Sequence, residues 1–128
     1  MSNFVWSSKK SSDEIVTISN SSITLNKASS SFFETAFNVL LGLDSKEKKF
    51  AIKPISKEQA LLGHIPQDTL NNITVKASYA RICNKQFIEE LSSLASLTFE
   101  DKNQVYKFKA AWDESIKALV IDLAEGVE

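Results

Sequence analysis

The chain has 128 residues, 43% hydrophobic and 24% charged, with a formal net charge of −1. That length suits one domain, residues 1–128, with a core of its own, and that balance is not the charge of a strong polyanion binder. No apolar run reaches the roughly 18 residues that cross a bilayer, the opening MSNFVWSSKKSSDE lacks the charged-then-apolar order of a secretion signal, and the lone Cys83 has no partner for an internal disulfide. A cytoplasmic protein without membrane attachment is the expectation.

Charge is unevenly spread. Residues 1–85 carry 11 Lys/Arg against 7 Asp/Glu, and residues 86–128 carry 4 against 9. A basic surface on one part of the molecule, opposite an acidic one, is compatible with this division.

In chain order, Phe4-Val5-Trp6 reads equally as an extra edge strand or a loosely docked arm. From Ile15, a β-branched run, a small polar break and a second short run lead to Asn26-Lys27. A short helix is predicted next, with Ser29 or Ser30 as N-cap ahead of Phe32 and Phe33. Phe37, Val39, Leu41 and Leu43 then alternate with other residues, the period of a half-buried strand. Asp44 suits the first position of a turn, where its carboxylate reaches backbone N–H groups two residues on. Phe50, Ile52 and Pro54 continue the alternation on a return strand. Residues 56–72 read as a linker, with a capping-box pattern at Ser56-x-x-Gln59 and a break at Pro66.

The same order then recurs. Two β-branched runs from Ile73 end at Asn84-Lys85, and Phe87, Ile88, Leu91 and Leu94 fall at helical spacing. Tyr106, Phe108, Ala110 and Trp112 alternate, Asp113 opens a turn, and Leu119, Ile121 and Leu123 return. Asp44 and Asp113 align at a shift of 69, and Asn26-Lys27 and Asn84-Lys85 at a shift of 58, so the second copy holds 11 extra residues, within SLTFEDKNQVY. The prediction is a mostly β fold with short helices (α+β), an internally duplicated ββαββ unit over about 15–55 and 73–123. The pattern also fits an α+β sandwich or paired hairpins with helices on one face.

At Ser21-Ser22-Ile23-Thr24-Leu25-Asn26-Lys27 the chain resembles the swapped-hairpin regulators of the AbrB, SpoVT and MazE group, whose motif reads Gly-Arg-[ILV]-x-[IL]-Pro-basic before a brief helix and a hairpin. Ile23, Thr24 and Leu25 match the strand and Lys27 the basic position, while Ser21, Ser22 and Asn26 stand in place of Gly, Arg and Pro. In the second copy Tyr79 and Ala80 replace Gly and Arg, Arg81 comes one place late, Ile82 and Cys83 continue the strand, and Lys85 follows Asn84. The resemblance implies a barrel formed when two units interleave their hairpins, here within one chain as an intramolecular pseudo-dimer, and a DNA-binding transcriptional regulator. Lys27, Lys76, Arg81 and Lys85 are the DNA-binding candidates, since Lys and Arg neutralise phosphates and Arg reads guanine edges.

The alternative is a protein–protein interaction module on the same fold without DNA binding, its acidic second half facing a basic partner. Oligomeric state is open between a monomeric pseudo-dimer and a dimer. Lys9, Lys10, Lys46, Lys48 and Lys49 form a second basic cluster, read as solubilising. An enzyme is not expected. His64 is the single histidine, Cys83 reads as a small buried strand residue, and neither a metal ligand set nor a Gly-rich phosphate loop is present, so no cofactor and no metal are called for.

Overall fold

The computed structural model describes residues 14–101 and 103–127; the Phe4-Val5-Trp6 and Lys9-Lys10 expectations lie outside them. Strand β1 (Ile15–Ile18) buries Val16 and Ile18 and turns Thr17 outward. The Ser19–Ser22 break is a serine turn, in which Ser19 Oγ accepts from Ser22 N–H at 3.0 Å and Ser19 N–H donates to Ser22 O at 2.9 Å. Strand β2 (Ile23–Leu25) follows, then helix α1 (Lys27–Ser30), continued by a 3-10 turn over Ser31–Phe33.

The cap of α1 corrects the predicted one. Asn26, extended at φ −70° and ψ 178°, accepts from Ser29 N–H through Oδ1 at 2.9 Å. The same oxygen accepts from Ile15 N–H at 3.1 Å, tying the helix start to β1. Ser29 and Ser30 lie inside the helix and are buried, their hydroxyls spent on Ile15 O and Lys27 O. The helix begins directly after β2, so the cap falls three residues earlier than the serine run suggests.

Strands β3 (Asn38–Asp44) and β4 (Lys49–Ile55) form the first long hairpin. Asp44 Oδ1 accepts from Lys46 and Glu47 N–H at 3.1 Å each, as its turn role requires. Val39, Phe50 and Ile52 are buried as predicted. Phe37 and Leu43 are not: they are 48% and 40% exposed, because Phe37 precedes the strand and Leu43 lies at the hairpin tip on an edge strand. Pro54 is half-buried, and Ile55 takes the inward place. Proline is tolerated here because no ladder bond is lost. Val39 exchanges both its backbone bonds with Asn71, and pairing of β4 with the next strand ends at Ile52.

The linker carries the expected capping box, Ser56 N–H to Gln59 Oε1 at 2.9 Å and Gln59 N–H to Ser56 Oγ at 3.1 Å, opening helix α2 (Lys57–Leu61). Strands β5 (Thr74–Val75) and β6 (Ala80–Ile82) precede helix α3 (Lys85–Ala95), capped by Asn84 Oδ1 on Phe87 N–H at 2.9 Å. Phe87, Ile88 and Leu91 are buried, and Leu94 packs against the core. Strands β7 (Tyr106–Asp113) and β8 (Ala118–Val127) complete the chain, with Phe108, Leu119, Ile121 and Leu123 buried. Trp112 is half-buried and stacks on Phe32, centroids 4.7 Å apart and planes 3° from parallel.

Cys83 is exposed, against expectation. Leu25 runs straight into its cap Asn26, whereas Cys83 separates Ile82 from its cap Asn84, so one constant shift cannot align both strand and cap. An extra residue moves a side chain to the opposite face of a strand, and here the inward positions belong to Ala80 and Ile82.

The eight strands form one antiparallel sheet, curled into a half-barrel, in the order β3-β4-β8-β7-β1-β2-β6-β5. A single bridge, Val39 to Asn71, links the β3 edge to the segment just before β5. The concave side holds the core, which α3 covers through Phe87, in edge-to-face contact with Phe50 at 5.8 Å. Among the described residues no helix is long and apolar enough to cross a membrane.

Candidate functional site

Neighbouring strands β1-β2-β6-β5, with their turns and the starts of α1 and α3, come from residues 15–33 and 69–88, which hold four Lys/Arg and no Asp or Glu. Those four are Lys27, Lys76, Arg81 and Lys85, and all are exposed. Among the described residues none of them forms an ion pair. The other half of the sheet differs: Asp44, Lys49 and Asp122 lie side by side across three strands, so neighbouring charges offset one another.

On the convex side of the acid-free half, register places Thr74, Arg81, Thr24, Thr17 and Lys107 in one row across β5, β6, β2, β1 and β7. Their flanking residues Val16, Ile18, Ile23, Leu25, Ala80 and Ile82 are buried, so the row faces solvent. At the strand spacing of about 4.8 Å the row spans roughly 19 Å. The Arg81 guanidinium lies 5.2 Å from the centre of the Tyr79 ring, which holds it by a cation–π contact.

The antiparallel β2–β6 pair, with Thr24 opposite Arg81, sets the two ends of this surface. At the Leu25/Ala80 end are Lys27, opening α1, and the turn from Lys76 to Tyr79, closed by Lys76 N–H to Tyr79 O at 2.7 Å. At the Ile23/Ile82 end are Lys85, opening α3, and the Ser19–Ser22 turn. Lys27 and Lys85 thus flank the pair from opposite ends. Lys107 was not singled out in the sequence; the alternation of β7 turns it outward opposite Phe108, but only the β1–β7 pairing sets it beside Thr17.

His64 is exposed and lines a separate groove of about 580 Å³ with Leu40, Gly42, Ala51, Lys53 and Ile116. Among the described residues no group of three or more His, Cys, Asp or Glu could hold a metal ion.

The Asp113 carboxyl is held below the ordinary value by the Ser115 hydroxyl, 2.6 Å away, and by the Ser115 and Ile116 N–H groups, which outweigh the opposing effect of burial. A depressed folded pKa means that the turn's contribution is present above the ordinary carboxylate pKa and is lost as pH falls through the folded value. Ser115→Ala is expected to move the Asp113 midpoint upward in a carboxyl NMR titration; an unmoved midpoint would remove the hydroxyl as its main cause.

The chain matches no protein-family model, no curated protein and no solved structure.

Proposed function

We propose that the protein is a non-enzymatic, DNA-binding regulator of the AbrB-like swapped-hairpin type, built from two copies of one ββαββ unit and meeting duplex DNA with the convex face of β1-β2-β6-β5. The duplication is supported by strand pairing. Exchanging β1 to β4 with β5 to β8 leaves the pairs within the sheet unchanged except β1–β7, whose counterpart is the edge closed by the Val39–Asn71 bridge. Under this exchange Thr24 pairs with its own counterpart Arg81, and Ala51 with its counterpart Val120, as strands crossing a two-fold axis do. The hairpin β7–β8 of the second half attaches to β1 of the first, which is how interleaved hairpins join.

One observation carries the DNA reading: four exposed cations, on segments that hold no carboxylate, flank the Thr24/Arg81 axis, and one of them, Arg81, stands in a row with Thr74, Thr24, Thr17 and Lys107, hydroxyls and basic groups suited to phosphate oxygens. Binding to a mixed-sequence duplex, followed by fluorescence anisotropy over a salt series, tests it. With four phosphates neutralised, log K is expected to fall against log salt with a slope of about −3.6, and a Lys27→Ala, Lys85→Ala double variant to flatten it by about 2. No binding at low salt would end this reading.

A second reading, a protein-interaction module, draws on the opposite end of the axis. There Ile116, 46% exposed, lies between two grooves of about 580 and 510 Å³ that share Gly42 and Ala51.

A further inference from the structure

We infer that the DNA-facing surface is directional: it engages a duplex without dyad symmetry and binds more strongly at the end bearing Lys27, Lys76 and Tyr79. This rests on the DNA-binding reading above. A dimer of identical subunits presents the same residues to both half-sites, so its operator is an inverted repeat. A chain that has duplicated its unit is free to change one copy, and here the surface residues have diverged while the inward ones have stayed apolar.

Across the Thr24/Arg81 axis, register makes Ser19 the counterpart of Lys76 and Ser22 that of Tyr79. The Ser19–Ser22 turn is neutral and its Ser19 and Ser22 hydroxyls are turned onto the turn itself: Ser19 Oγ accepts from the Ser21 and Ser22 N–H groups at 3.3 and 3.0 Å and lies 3.1 Å from Ser22 Oγ. The Lys76–Tyr79 turn is closed by the same kind of backbone bond, Lys76 N–H to Tyr79 O at 2.7 Å beside Ser19 N–H to Ser22 O at 2.9 Å, but it carries an ammonium and an aromatic ring that supports Arg81. Strand pairing brings that turn to the same end as Lys27, while Lys85 shares its end with the serine turn.

The helix starts differ as well. Asn26 follows β2 directly, but Cys83 is interposed between β6 and Asn84, so Lys85 is carried about one residue, roughly 3.3 Å, further along the chain than Lys27 is. Lys107 adds to the imbalance, since the residue at its counterpart position in β3, Asn38, is buried. Charge, hydrogen-bonding capacity and spacing therefore all differ between the two ends. An arginine able to discriminate guanine stands at the centre with no arginine partner.

Selection of bound duplexes from a random-sequence pool with the full-length chain at low salt is the test. The enriched motif is expected to lack an inverted repeat, with its information concentrated on one side. Cys83, the single cysteine and exposed, then serves to attach a DNA-cleaving reagent, which is expected to cut an enriched site on one side only. Replacing Lys76→Ser, Tyr79→Ser and Arg81→Thr together gives the second half the first half's residues. It is expected to weaken binding at least tenfold and to reduce the one-sidedness of the motif. A palindromic motif, no motif, or equal cutting on both sides of an enriched site overturns directionality while leaving DNA binding standing. Absence of any binding at low salt overturns the reading beneath it, and directionality with it.

Discussion

Truncating Phe50 to alanine is expected to cost about 3–5 kcal/mol, the largest single loss foreseen for this chain. Phe50 is 1% exposed, stands between Leu43 and Ile121 across the β3-β4-β8 ribbon, and meets Phe87 of α3 edge to face. It therefore joins a hairpin of the first half to the helix of the second, and its removal leaves a cavity that two separately anchored elements cannot easily collapse to fill. The expected cost is a large fraction of the 5–15 kcal/mol typical of a domain. Urea denaturation monitored by tryptophan fluorescence measures it, with Phe50→Leu as a companion expected to lose about 1–2 kcal/mol. A loss below about 1 kcal/mol for the alanine variant would mean that α3 does not close over this sheet.

Reversing the charge of Arg81 is expected to weaken duplex binding at low salt by at least tenfold, about 1.4 kcal/mol. Arg81 pairs with Thr24 where β6 meets β2, so a glutamate there introduces the only carboxylate within residues 69–88 and sets it inside the row that the proposed DNA reading turns toward phosphates. Its side chain is exposed, and thermal stability is expected to stay within about 0.5 kcal/mol of the parent. Comparing the salt dependence of Arg81→Glu with that of a Lys117→Glu control separates a local contact from a change in net charge, because Lys117 lies in the distant β7–β8 turn beside Glu114. Equal losses from both would assign the effect to net charge and remove Arg81 from the site.

Local order was legible in the residues because it depends on neighbours close in the chain. The alternation in Phe108, Ala110 and Trp112 and in Leu119, Ile121 and Leu123 marks two strands, the Phe87-Ile88-Leu91 spacing marks α3, and Asp44, Asp113 and the Ser56/Gln59 pair close turns and caps by reaching two or three residues onward. Where the expectations failed, a non-local partner or a one-residue offset was responsible. Ser29 was passed over as a cap because Asn26 comes first and is also bonded to β1. Leu43 is exposed because the edge strand outruns the core. Cys83 is exposed because the strand ends one residue before it.

The sequence by itself therefore determined the repeated strand, helix and strand order, most of the buried positions, and the identity of the four cations Lys27, Lys76, Arg81 and Lys85. Only the tertiary structure decided that β2 pairs with β6, β1 with β7 and β4 with β8, that Lys107 joins the convex row, and that Lys27 and Lys76 share an end from which Lys85 is excluded. The physical reason is that side-chain periodicity records which face of a strand is buried, whereas the choice of neighbouring strand is made by backbone hydrogen bonds that every sequence can form, and is settled only when all the apolar faces close over one core.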